Sequence, residues 1–131
     1  MTPFSDALTI IGIVGAGAVA GAFFTFSTFT MAGLKRLAPG QGVAAMQAIN
    51  AEAPTPPFML LLFGTGAACL AIMGSAVMRL DAPGSAYQLI AGALYTVDVV
   101  LVTVRYHVPR NNRLDALDPH SAEGIAYWTT Y

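Results

Sequence analysis

The chain is poor in charge. Of its 131 residues only six are Lys or Arg and seven are Asp or Glu, 10% in all, against roughly 25% in soluble domains. So few polar groups cannot cover the surface of a water-soluble globule this small, and 56% of the residues are hydrophobic. The formal net charge of −1 leaves no basic field for nucleic acid and no reason to expect a strongly acidic partner. Cysteine is almost missing too. The single Cys69 excludes an internal disulfide and any multi-cysteine metal site, and its place inside an apolar run suits a small, soft packing residue. The leading MTPFSD has no Lys or Arg, so a cleaved signal peptide is disfavoured even though Ala18-Val19-Ala20 resembles a cleavage site. The length is that of one domain, residues 1–131.

What the chain has instead is long stretches without charge. Residues 7–34 carry none, nor do residues 53–78, where Pro54, Pro56 and Pro57 mark a helix start, and residues 82–104 carry only Asp98. A bilayer core of about 30 Å takes roughly 20 helical residues, and backbone groups in hydrocarbon must bond internally. The expectation is an all-α integral membrane helical bundle with three long transmembrane helices, over 7–31, 57–78 and 85–106.

Residues 10–29, IIGIVGAGAVAGAFFTFSTF, contain a competing signal. Gly15, Gly17 and Ala20 spell the G-x-G-x-x-A of a dinucleotide-binding turn. Such a fold needs further strand–helix units and an acidic residue about 20 positions on. Every later apolar segment is membrane-length and no such acid follows, so the lipid-buried helix is preferred. In that setting Gly17 and Gly21 form a GxxxG pair, with Gly12, Ala16 and Ala20 as a neighbouring small-residue stripe that lets backbones approach.

Between the first two spans, Val43, Met46 and Ile49 recur at helical spacing, which points to a short interfacial helix; a polar loop is the alternative. Lys35, Arg36, Arg105, Arg110 and Arg113 fall on one side of the membrane and Arg79 on the other. Basic residues stay cytoplasmic, so the N-terminus is expected outside, with loop 33–56 and the segment after residue 106 inside. The tail turns aromatic at Tyr127, Trp128 and Tyr131, as at a membrane interface, and reads as the start of a fourth span.

Several residues carry chemistry in principle. Asp98 lies within a membrane run, where a carboxylate is costly and by default functional; it is a candidate base or proton relay, or a neutral acid bonded to a neighbouring helix near Thr25 or Thr28. Seven positions on, Arg105 would share its face of an α-helix. His107 opens HVPRNN, expected as a turn fixed by Pro109, and an imidazole there can exchange protons near neutral pH; a structural role is the plainer alternative. Asn111 and Asn112 can orient a substrate oxygen or cap the next segment. His107 and His120 without nearby acids or cysteines make no metal motif, though axial haem ligation by the pair stays open. Phe26 and Tyr95 can line a pocket for a flat aromatic ligand, or simply pack.

The run FFTFSTFTMAGLKRLAPGQGVAAMQAIN, then Pro57-Phe58, ALYTVDVVLVTVRYHVPRNN and a late Trp-x-x-Tyr together resemble the anthrone-oxygenase-like family of small membrane proteins. The resemblance covers most of the chain and is most specific at residues 46–50 and in the Thr103, Val108, Pro109, Asn111, Asn112 block. It implies a bundle usually of four spans. Some fungal members oxidise anthrones to anthraquinones without metal or flavin, so no cofactor is expected. Three departures stand out: His107 where Asn is common, Asp98 where a small or apolar residue is common, and no complete fourth span. Either the chain is a shortened version or a neighbouring subunit supplies the missing wall.

On this basis the expected catalytic residues are His107 as base, Arg105 as a charge stabiliser and Asp98 in reserve. Asn111, Asn112, Gln47, Asn50, Tyr95 and Phe26 are the expected substrate-binding residues. Three functions compete: a cofactor-independent oxygenase acting on a lipophilic anthrone-like or phenolic ligand; a non-catalytic membrane subunit, homo-oligomeric or bound to a partner; and a carrier using Asp98. The lipid bilayer is the expected surrounding, with no nucleic acid.

Overall fold

The computed structural model describes residues 3–131, with side chains from Ser5 onward. The chain is all-α, and no strand occurs among the described residues. Three helical rods are long and apolar enough to cross a membrane: Ser5–Leu34 with 30 residues, Pro56–Val77 with 22 and Ser85–Asp115 with 31. Even the shortest rises about 33 Å at 1.5 Å per residue, enough for a hydrocarbon core of about 30 Å.

The first rod is α1 (Pro3–Thr25), a π-helical segment Phe26–Thr30, and α2 (Met31–Leu34). The wider turns begin where hydroxyls intrude. Ser27 Oγ donates to the Phe23 carbonyl at 2.6 Å and Thr28 Oγ1 to the Phe24 carbonyl at 2.6 Å. Such i−4 back-bonding competes with the backbone for those acceptors. Next come α3 (Pro39–Glu52), opened by Pro39 at its start, and α4 (Pro56–Val77); proline suits a first turn because that N–H has no helical acceptor. Gly84, at φ 90°, turns the chain into α5 (Ser85–Leu94), a left-handed conformation that glycine takes without a Cβ clash.

The third rod departs from expectation. After α5 it is π-helical over Tyr95–Leu101 and Thr103–His107, then α-helical again as α6 (Val108–Asp115). Its β-branched residues, Thr96, Val97, Val99, Val100, Val102, Thr103 and Val104, crowd the preceding turn of an α-helix. The α spacing assumed between Asp98 and Arg105 therefore does not apply here. HVPRNN is also no turn: Pro109 sits near the start of α6, and the helical rod runs through it to Asp115. Last is α7 (Ala122–Thr130), capped by Ser121, whose Oγ accepts the Gly124 N–H at 2.9 Å.

The chain forms two compact units. One comprises the N-terminal residues through Ala20 with Pro56–Thr103. In it α1 turns Gly12, Gly15 and Val19 inward. A Cβ on Gly12 would stand 3.0 Å from Ile72 Cδ1, and one on Gly15 would collide with the Thr65 side chain. These two glycines set the α1–α4 approach, as small residues do between membrane helices. Val19, Leu62, Cys69 and Tyr95 fill the core beside them, and Gly92 makes room for Met73. By contrast, a Cβ on Gly17 or Gly21 would meet nothing within 4 Å. Of the expected small-residue stripe, Gly12 and Ala16 pack inside this unit while Ala20 is exposed, and the GxxxG pair faces open space among the described residues.

The second unit comprises Gly21–Thr55 and Val104–Tyr131. Here α3, α6 and α7 close over Val43, Met46, Leu114 and Trp128, with Phe26, Met31, Leu34, Ile49, Tyr127 and Tyr131 around them. Val43 and Leu114 are fully buried. The Val43, Met46, Ile49 spacing thus marks the inward face of α3.

Candidate functional site

The second unit gathers most of the polar side chains singled out from the sequence. Helix α6 is short, and its last carbonyls need partners that the helix itself cannot supply. Gln47 of α3 serves one of them and the turn that follows: its amide nitrogen donates to the Leu114 carbonyl at 2.9 Å and to the Leu117 carbonyl, beyond the helix end, at 2.8 Å. One turn on, Asn50 donates to Asp115 Oδ1 at 3.0 Å. Asn111 Oδ1 accepts the Tyr131 hydroxyl at 2.6 Å, joining α6 to the end of α7. Gln47, Asn50 and Asn111 therefore hold three short helices together, and the Gln47 amide oxygen and the remaining amide hydrogens are what they can still offer a ligand.

Burial pushes the Tyr131 phenol up from its ordinary value; the Asn50 side chain opposes this and the nearby Asp115 carboxylate reinforces it. The phenol is thus kept as a neutral donor. Its ring stacks on Trp128, with centroids 5.7 Å apart and planes at 23°.

Arg110 organises the outer side of this cluster. Its guanidinium donates to the main-chain oxygens of Thr130 at 2.6 Å and Tyr131 at 3.2 Å. It also lies 4.9 Å from the Tyr106 ring centroid and 5.9 Å from that of Tyr131. Arg113 covers Tyr127 at 4.5 Å. Cation–π contacts of this kind contribute about 0.5–1 kcal/mol at exposed sites. Neither arginine was singled out from the sequence for such a role. Tyr106 precedes Arg110 by four positions, a spacing visible in the sequence, whereas Tyr127 and Tyr131 lie far along the chain, where no local pattern points to them.

His107 sits immediately before this cluster, exposed, and its ring nitrogens make no hydrogen bond among the described residues. It meets Tyr106 edge to face, with centroids 5.3 Å apart. Arg110 and Asn111 follow at three and four positions, the spacing of one helical face. Arg105 and Asn112 are exposed, while Phe26 is half-buried against the Val43–Trp128 core. Asp98 and Tyr95 belong to the first unit. Tyr95 is buried, its hydroxyl donating to the Leu62 carbonyl at 2.9 Å. Asp98 is exposed among the outward-facing Leu94, Val97 and Leu101. Among the described residues, no three His, Cys, Asp or Glu side chains converge as a metal set would require.

The class these features define is a small all-α membrane protein with an aromatic and guanidinium cluster at the C-terminal end of its third rod. Within that class, residues 57–130 match the family model for anthrone oxygenase; this is more than half of the chain, and the chain belongs to that family. Searches among curated proteins and among solved structures return no match.

Proposed function

We propose that this protein is a cofactor-independent oxygenase of a lipophilic, phenolic, anthrone-like substrate, with His107 as its base. One observation carries the reading: an exposed imidazole with both nitrogens unengaged stands one helical turn before Arg110 and Asn111, in a chain of this family. An anthrone has an acidic benzylic C–H beside a conjugated ketone. His107 takes that proton, and the charge left behind spreads onto the ketone oxygen. The anion gives one electron to dioxygen, the carbon radical and superoxide join in a C–O bond, and the hydroperoxide loses water to give the quinone carbonyl. One oxygen atom ends in product and one in water, so no further reductant is consumed.

In this reading Arg105, Asn111 and Asn112 stabilise the developing oxyanion, Gln47 and Asn50 orient it, and Phe26 offers a flat apolar wall. Exclusion of water by the surrounding lipid strengthens each of these interactions. Asp98, with Tyr95 near it in sequence, is held in reserve as a base or relay. The basic residues near 35 and 105–113 support the orientation with the N-terminus outside.

The test is anthrone-dependent oxygen uptake by purified protein. His107→Ala should abolish it while far-ultraviolet dichroism stays unchanged. Uptake equal to wild type would remove His107 as the base. The second reading, a non-catalytic subunit, draws support from the open sides of Gly17 and Gly21. It requires a fixed partner or stoichiometry in mild detergent, and a clean monomer counts against it.

A further inference from the structure

A cleft of about 350 Å³ opens in the second unit, away from His107 in sequence and lined by Lys35, Leu37, Pro39, Trp128 and Thr129. Its volume falls at the lower end of the roughly 300–1,000 Å³ usual for small-ligand sites. We propose that it seats the phosphate headgroup of an anionic membrane lipid, in the leaflet where the Ser5–Leu34 rod ends.

The argument begins with depth. Lys35 directly follows a 30-residue apolar rod, so its ammonium lies where the chain leaves hydrocarbon. Next is charge. Neither Lys35 nor its exposed neighbour Arg36 has an ion-pair partner among the described residues, and no carboxylate lines the cleft. Two unpaired cations at that level attract an anionic headgroup, each by about 1 kcal/mol, whereas a zwitterionic headgroup brings its own cation against them. Shape is the third element. The Trp128 indole, stacked on Tyr131 and laid against Gly42, forms a fixed amphipathic wall, and Leu37 is 42% exposed at the rim. Indole and leucine beside a cation match a ligand that is anionic at its head and apolar behind it. A free inorganic anion would leave both apolar walls unused.

Trp128 is the only tryptophan in the chain, so its fluorescence reports on this cleft without labelling. The experiment places the protein in nanodiscs of phosphatidylcholine with increasing phosphatidylglycerol and follows Trp128 emission. A saturable change is expected with the anionic lipid, with Lys35→Gln shifting its midpoint about five-fold, the equivalent of about 1 kcal/mol. Arg79→Gln, at the far end of the second span, should leave the midpoint in place. Lys35→Arg should keep the response and so shows that loss in Lys35→Gln is one of charge, not folding. An equal midpoint in Lys35→Gln and wild type would overturn the proposal, as would an equal shift from Arg79→Gln or the same emission change produced by glycerol phosphate in phosphatidylcholine discs.

Discussion

Gln47 offers the sharpest test of how the second unit is held together. Its amide nitrogen donates to the Leu114 carbonyl in the last turn of α6 and to the Leu117 carbonyl just beyond that helix, so a side chain of α3 adds to the backbone bonds that close α6. Gln47→Met keeps the length and removes both donors. At about 1 kcal/mol for each net hydrogen bond, and with the Leu114 carbonyl still accepting from the Leu117 N–H at 3.1 Å, the loss should be about 1.5–2 kcal/mol. Gln47→Glu is nearly isosteric but, when ionised, faces two carbonyl oxygens with a negative charge and should cost about 3 kcal/mol. The two variants separate by pH. The introduced carboxyl has its pKa raised above about 4.3 by the opposing oxygens. Its protonated form can donate one bond again, so the deficit shrinks as pH falls through that raised value and is complete above it. Trp128 lies in the same core cluster, and its emission during denaturant titration in detergent is the assay. A deficit for Gln47→Glu that matches Gln47→Met at neutral pH, or that ignores acid, would refute this role for Gln47.

Gly15→Val should cost about 1–3 kcal/mol through overpacking against Thr65, while Gly17→Val, facing open space, should stay within about 0.5 kcal/mol; thermal unfolding in detergent compares them, and equal costs would contradict the assigned α1 face. Tyr131 contributes as a neutral donor, and its pKa is raised, so that contribution is intact below the ordinary value of 10.0 and is lost as pH rises through the raised one. An alkaline step in Trp128 emission is expected, absent in Tyr131→Phe. Tyr95→Phe removes a buried bond to the Leu62 carbonyl and should destabilise the first unit by about 1 kcal/mol, read by the same thermal assay; no change would mean the hydroxyl is satisfied as well without that carbonyl.

The sequence by itself determined that this chain is all-α with three membrane-length rods, because a bilayer imposes a length and forbids charge, and both are visible letter by letter in residues 7–34, 53–78 and 82–104. It also marked α3 as a helix with one apolar face, since Val43, Met46 and Ile49 obey the local period of one helix, whereas that α6 and α7 cover this face came only from the fold. What lay beyond its reach depends on partners distant in the chain. Gly12 and Gly15 differ from Gly17 only in that Ile72 and Thr65 stand opposite them. Gln47 and Asn111 look like free site residues until the ends of α6 and α7 arrive to bind them. The π-helical stretch through Tyr95–Leu101 lies between these cases: its hydroxyls and branched side chains are in plain view, yet whether they widen the turns is decided by competition with packing. Local periodicity is a property of one element, whereas a hydrogen bond or a helix crossing belongs to two, and only the folded chain brings the second one near.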